Sequence, residues 1–404
     1  MLSRFLSSLL LLLGGAGILV AWAPGGIFWN TFECLWFGAM LIWLAGWSAG
    51  KLDARWSWCF VPFLGIVALG CLQLRKGWTV YAFATNQDLL RWAVFGVVFF
   101  LAFQLFGVEA SDRHFRRLFL IFALIVAVES LLQWFAGNGK IFWLFETQES
   151  GDIMGPFLNR DHYSTFVALA LPMGLVEVFR HRQHRWLFVI VSAALYASVI
   201  AGASRAGFIL ITVELVLLFF VVEFSGRILV AAVGLILVFG TVVGWENLYD
   251  RLSIPDPYAG RREVATASVE MLEVSPAHGY GLGTWTTVYP AFAVKDFGVF
   301  VNAAHNDWLQ WGSDGGVPML AGILALFAGS LAILRKSPWA LGVPIAFLHG
   351  LIDFPMQGRF LPVVVFLVFG IAVRATASHR EAPVHSRPAE KRPRQLLTRS
   401  PAQR

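Results

Sequence analysis

Apolar runs of about 20 residues recur along this chain, and they constrain its fold more than any other feature. A helix that crosses the hydrocarbon core of a bilayer needs about 20 mostly apolar residues. Runs of that kind, some slightly shorter, lie at roughly 5–23, 32–50, 56–74, 89–108, 118–137, 162–179, 186–202, 206–222, 227–245, 316–334, 339–353 and 360–374. Of the 404 residues, 57% are hydrophobic and 14% charged, whereas a soluble domain carries about 25% charged residues. A soluble fold of this length could not hide so much apolar surface. Inside a bilayer the backbone must satisfy its own hydrogen bonds, so the runs should be helices. The expected fold class is all-α integral membrane, with about 12 transmembrane helices. The 17 tryptophans and 36 phenylalanines suit rings placed at bilayer interfaces.

The net charge of +6 does not point to nucleic acid. The basic residues fall in short loops between apolar runs and in the tail, which is the positive-inside pattern. With the N-terminus inside, about 20 of the 31 lysines and arginines fall on the cytoplasmic side, although the other side holds the longest loop. Both termini are therefore expected in the cytoplasm. Residues 5–23 have Arg4 in front and Ala21-Trp22-Ala23 behind, as a signal peptide would. The run is long and Pro24 follows at once, so a retained first helix is expected. Cys34, Cys59 and Cys71 have no metal-type spacing, and their odd number gives no disulfide framework.

The organisation follows from these runs. Residues 1–374 form a polytopic membrane domain. Residues 375–404 are basic, contain proline and are poor in apolar residues, so they read as a disordered cytoplasmic tail. Two outer connections are long, about 138–161 and about 246–315. The second, between the ninth and tenth spans, is the one segment large enough for a small extramembrane subdomain. Long loops between membrane helices usually carry function.

The outer face of a bacterial membrane is poor in nucleotides, so an enzyme there must draw on an activated donor already in the membrane. A lipid-linked diphosphate is the obvious one. It needs cations for the diphosphate and a base for the acceptor hydroxyl. Arg205 lies in Gly202-Ala-Ser-Arg-Ala-Gly207, a tight outer turn, where its charge opposes the positive-inside bias. Its planar fork can hold phosphate oxygens bidentately; the alternative is an arginine reaching for lipid headgroups. Arg261 and Arg262 precede an amphipathic stretch at 261–273, which could equally lie on the bilayer. Arg160 closes Gly155-Pro-Phe-Leu-Asn-Arg before the sixth span. His305, in Ala304-His-Asn-Asp-Trp-Leu-Gln310, precedes the tenth span. An ordinary imidazole titrates near 6.5 and suits proton abstraction near neutral pH; the alternative is a hydrogen-bonded interfacial histidine. His349 and Asp353 are four apart on one helical face, followed by Arg359, and read mainly as structural hydrogen-bonding groups. Glu129 and Glu214 fall mid-span and should face the bundle interior. There is no P-loop, no GxGxxG and no Asp-x-Asp pair to hold a metal on a nucleotide sugar. Neither a metal nor a cofactor is expected.

The stretch HNDWLQWGSDGG, His305 to Gly316, resembles the HNxxLxxxxExG signature of the O-antigen ligase and O-antigen polymerase superfamily. SPAHGYGLGTW at 275–285, the ASRAG turn and the GPFLNRDHY stretch are also similar to that family, so the resemblance covers about 155–355. The resemblance implies a glycosyltransferase of membrane-embedded C-type architecture, working in the inner membrane with a periplasmic active site. Its donor would be an undecaprenyl-diphosphate-linked glycan and its reaction metal-independent and inverting. The family's histidine and arginines map onto His305, Arg205 and one of Arg261 and Arg262. Arg160 is a further phosphate contact, and Asn306, Asp307, Asp314, His349 and Asp353 are supporting residues. The signature's glutamate is Asp314 here. The chain lacks the extra C-terminal region of the protein-glycosylating members, which disfavours a protein acceptor.

Three functions compete. A ligase would move a whole glycan onto lipid A-core. An O-antigen or exopolysaccharide polymerase would extend a growing glycan on its carrier. A transporter would place charges at mid-membrane in repeated halves. Here the candidate charges cluster at the outer surface and no repeat is visible, so transport is the weakest reading.

Overall fold

The computed structural model describes residues 2–23, 27–146, 153–180, 183–221, 226–256 and 258–381. Apart from two isolated β-bridges, the described residues are helical or irregular. The helices run α1 Leu2–Leu19, α2 Ile27–Ser48, α3 Phe60–Lys76, α4 Ala82–Leu105 and α5 Glu109–Ala136. They continue as α6 Arg160–Arg180, α7 Arg185–Ala201, α8 Arg205–Val221, α9 Gly226–Val243 and α10 Glu246–Leu252. The last are α11 Ala259–Val274, α12 Trp285–Val288, α13 Asp307–Ala332, α14 Gly342–His349 and α15 Leu361–Glu381.

Every one of the twelve apolar runs forms a helix. Among the described residues, six helices are long and apolar enough to cross a membrane: α1, α4, α5, α6, α13 and α15. This makes the chain an integral membrane helical protein. The eleventh run departs from expectation. Its helix α14 has eight residues and stops at His349, so Asp353 lies in a turn rather than on the same helix face. The stop coincides with a tertiary contact. The Gly350 carbonyl accepts from the Asp307 backbone N–H at 2.6 Å, which ties the chain end to α13. The last helix runs to Glu381, beyond the expected boundary at 374; the rest of the tail lies outside the described residues.

Helix α6 is apolar on all sides and nearly all of it is buried, as an all-round apolar helix must be. It packs against α5, α7, α8 and α14, while α15 pairs with α4. Mid-span Glu214 is wholly buried, and neither its carboxylate oxygens nor those of Glu129 have a hydrogen-bond partner among the described residues. Both face the bundle interior, as their burial cost requires.

Connections meet in two groups, one at each end of the bundle. At one end Gln104 exchanges hydrogen bonds with the Arg55 backbone, and Arg116 pairs with Glu177 at 2.8 Å under the Trp339 ring. Ser337 reaches Thr376 there, and Trp47, Trp56, Trp58 and Trp186 are exposed at helix ends of this group, as an interfacial belt would be. At the other end Val80 bonds Tyr280, Ser204 bonds Asp161 and Asn159 bonds Asp353. Among the described residues, the connections joined by these contacts are ones that the run count assigns to one side.

The long loop carries its own small core. On α11 the buried positions Val264, Ala267, Ser268 and Met271 follow helical spacing. They pack with Trp285, Val288, Tyr289 and Ala304. Trp285 stacks on Tyr289 at 4.6 Å and donates its indole N–H to Ser268 at 3.0 Å. The amphipathic stretch thus buries its apolar stripe within the protein.

Candidate active site

Three consecutive residues at the start of α13 clamp the turn that follows α14. His305 has φ +49°, a left-handed conformation that costs a non-glycine residue about 1–2 kcal/mol. The strained backbone turns the chain into the helix. Asn306 is the N-cap: its side-chain oxygen accepts from Leu309 N–H at 3.0 Å, while its amide donates to the Leu351 carbonyl at 2.9 Å. Asp307 is fully buried and accepts from Met356 N–H at 3.0 Å, and its own N–H points at the Gly350 and Asp353 carbonyls. Asn306 and Asp307 therefore hold 350–356 against α13.

That turn presents Asp353, whose side chain is 0% exposed, to His305. His305 Nδ1 lies 3.2 Å from Asp353 Oδ1. Burial opposes ionisation of this carboxyl. The His305 hydrogen bond and the neighbouring His162, Arg261 and His349 outweigh burial and hold it below the ordinary carboxylate range. An ionised carboxylate only accepts, so Nδ1 carries the ring proton and Nε2 of a neutral ring is left as an acceptor. Asn159 donates to the second Asp353 oxygen at 3.4 Å.

Arg261, at the start of α11, donates to the Ile352 carbonyl at 2.7 Å and lies 3.4 Å from Asp353 Oδ1 and 3.7 Å from Asp161 Oδ2. Arg205 and Arg261 both sit over the Tyr258 ring, at 5.1 and 5.7 Å. The Arg205 guanidinium also donates to the Arg251 carbonyl at 3.1 Å. Its turn is tight because Ser204 caps α8 through Gly207 N–H at 2.9 Å and bonds Asp161. A side chain at Gly207 would begin 2.2 Å from Ser164 Oγ. Arg262 points elsewhere: it is exposed and holds Asp256 bidentately at 2.6 and 2.6 Å. Those bonds keep the Asp256 carboxyl below its ordinary range. Of the two arginines, Arg261 is the one that lies against Asp353. Arg160 opens α6 and is buried.

Two supporting residues make their hydrogen bonds elsewhere. Asp314 accepts from Thr284 and Trp285 N–H at 3.1 and 2.9 Å, which fixes the SPAHGYGLGTW loop to α13. Gly316, φ +65°, breaks α13 beside that loop; a Cβ there would lie 2.4 Å from the Pro276 carbonyl oxygen. His349 Nδ1 meets Thr165 Oγ1 at 2.7 Å inside the bundle.

Beside the histidine opens a cleft of about 460 Å³, lined by Trp29, Asn159, His162, His305, Phe354 and Arg359 among others. His162 and His305 both set an edge against Phe354, at 5.0 and 4.9 Å. Asn159, Asp161, His162, Tyr258 and Phe354 were not singled out from the sequence. The run Asn159-Arg160-Asp161-His162 at the mouth of an apolar segment is a usable signal for the first three. The two aromatics carry none.

The fold and this cluster define a helical membrane protein with a histidine, a carboxylate and arginines gathered at one end of its bundle. Residues 187–324 match the family model of O-antigen ligase, so that stretch of the chain is similar to the O-antigen ligase domain. The matched stretch includes Arg205, Arg261, Arg262, His305, Asn306, Asp307 and Asp314, and leaves out Arg160, His349 and Asp353. No curated protein matches the chain.

Proposed function

We propose that this protein is an inner-membrane glycosyltransferase that moves a glycan from undecaprenyl diphosphate to an acceptor hydroxyl, with lipid A-core as acceptor. The observation that carries the reading is the His305–Asp353 pair, with Nδ1 tied to a buried carboxylate and the ring lining a cleft. His305 Nε2 takes the proton as the acceptor oxygen bonds the anomeric carbon. The carbon–oxygen bond to the diphosphate breaks, and its electron pair leaves on the diphosphate. Asp353 stabilises the imidazolium so formed. Attack from the face opposite the leaving group inverts the linkage. Arginines, with Arg205, Arg261 and Arg160 the candidates, offset the phosphate charge, so chelators should leave the purified enzyme active.

The same reading places both termini in the cytoplasm, twelve crossings in the bilayer, and His305 on the periplasmic side. It is supported by the charge bias of the short loops and by the sorting of connections into two end groups. The test is a deletion strain complemented with wild type or His305→Ala. Wild type should restore glycan-capped lipid A-core, and the variant should insert but fail to cap. Single-repeat glycans in the deletion strain would instead identify a polymerase. Near-normal capping by His305→Ala would remove the base role.

A further inference from the structure

The cleft beside His305 holds none of the candidate phosphate ligands. Arg160, Arg205, Arg261 and Arg262 are not among the described residues that line it. Arg261 lies 3.4 Å from Asp353 at the start of α11, whereas His305 meets the same carboxylate and also lines the cleft. An inverting transfer needs the acceptor oxygen and the leaving diphosphate on opposite sides of the anomeric carbon. With the base in the cleft and the arginines outside it, the cleft is the space left for the acceptor.

Its walls suit a sugar. Trp29 and Phe354 are half-buried and offer rings on which a pyranose can rest its C–H face. Trp29 Nε1 and His162 Nε2 are both buried without a hydrogen-bond partner among the described residues. Buried polar groups are nearly always paired, so two orphans on residues of one cavity call for hydroxyls to pair them. The Arg359 guanidinium lies 4.6 Å over the Trp29 ring and reaches Gln87 at 3.4 Å. Glu33 pairs with it and offsets its charge, while the side chain keeps 15% exposure. The fork therefore offers the cavity N–H donors rather than a free cation. Asn302, exposed, adds an amide to the lining. Rings, donors and acceptors, with the arginine's charge offset, are the chemistry that recognises an uncharged sugar. The volume of about 460 Å³ is that of a small-molecule site.

We propose that the cleft between Trp29, His162, Phe354 and Arg359 is the acceptor subsite, and that it takes an uncharged sugar of the acceptor by its ring face and its hydroxyls. This rests on the donor and base reading above. The sugar lies along the two rings with the attacking hydroxyl at His305 Nε2. Its neighbouring hydroxyls pair with Trp29 N–H, His162 Nε2 and the Arg359 fork. These three residues then set which sugar is accepted, and the arginines beyond Asp353 are left to the donor.

The test separates the two substrates. Transfer of a labelled lipid-linked glycan to uncapped lipid A-core, purified from the deletion strain, is measured in proteoliposomes with each substrate varied in turn. Trp29→Leu, His162→Phe and the double variant Glu33→Gln/Arg359→Gln should each raise KM for lipid A-core at least fivefold and leave KM for the donor within twofold. Trp29→Phe keeps a ring but loses the N–H, and should raise acceptor KM at least threefold even where Trp29→Leu fails to insert. Arg359→Lys keeps the charge but not the fork, and should also raise it. Acceptor KM within twofold of wild type in both Trp29→Phe and His162→Phe overturns the inference and leaves the donor reading standing. A raised donor KM with acceptor KM unchanged makes the cleft a donor site and also overturns it. Normal acceptor KM in Arg359→Lys shows that a charge suffices and overturns the choice of an uncharged sugar. A wild type that transfers nothing to lipid A-core overturns the proposed acceptor together with this inference.

Discussion

Asp353→Asn isolates the charge of the carboxylate from its shape. The amide keeps an oxygen for His305 Nδ1 at the observed 3.2 Å but removes the negative charge that the imidazolium and Arg261 face. The turn itself is held by Asn306 and Asp307, so the variant should fold. A hydrogen bond to a charged group contributes about 1.5–3 kcal/mol, which converts to roughly 10- to 150-fold in rate. The loss should appear in kcat, because the charge matters when the imidazolium forms, with KM for donor nearly unchanged. The assay is transfer of a labelled glycan in proteoliposomes at saturating donor. A kcat within threefold of wild type would refute the reasoning. Stability gives a second readout. The fold lowers the Asp353 pKa, so its contribution is fully present above the unfolded value of about 3.9 and is lost as pH falls through the folded one. The Tm gap between wild type and Asp353→Asn should not narrow from pH 7 to 5 and should close only in stronger acid.

Three further outcomes are expected. Arg261→Ala should cut transfer more than tenfold, whereas Arg262→Ala, which loses only an exposed pairing with Asp256, should stay within twofold; equal losses would return Arg262 to the site. His305→Gly and His305→Ala should both be inactive, but the glycine variant should be more stable by about 1 kcal/mol because φ +49° then carries little strain, a difference that a melting series in detergent can read. A cysteine at exposed Thr287 should react with an impermeant thiol reagent in intact cells with a permeabilised outer membrane; labelling only after lysis would invert the topology.

The twelve helices were legible because a bilayer makes apolar length nearly sufficient to specify a helix. The end of α14 was not. Residues 339–353 read as one apolar run, and what stops the helix is a backbone bond from Asp307, distant in sequence. For the same reason His349 and Asp353 looked like neighbours on one face and in fact serve different partners. His305 could be picked by its chemistry and its place before a span. Its carboxylate partner could not, since 48 residues separate them. The choice between Arg261 and Arg262 depended on where α11 docks, which follows from the buried stripe at Val264, Ala267 and Met271 rather than from either arginine.

The break of α13 at Gly316 has a mechanical meaning. Roughly two and a half turns of helix separate it from His305, and that upper piece is bolted to the 275–285 loop and to the turn after α14. Below the break the chain resumes as a separate segment led by Pro318. Membrane helices answer a thicker or thinner bilayer by tilting. A continuous rod would pass that tilt to its tip and swing the imidazole off its carboxylate. A jointed one absorbs it at the glycine, so the lower segment can follow the lipid while the histidine keeps its aim.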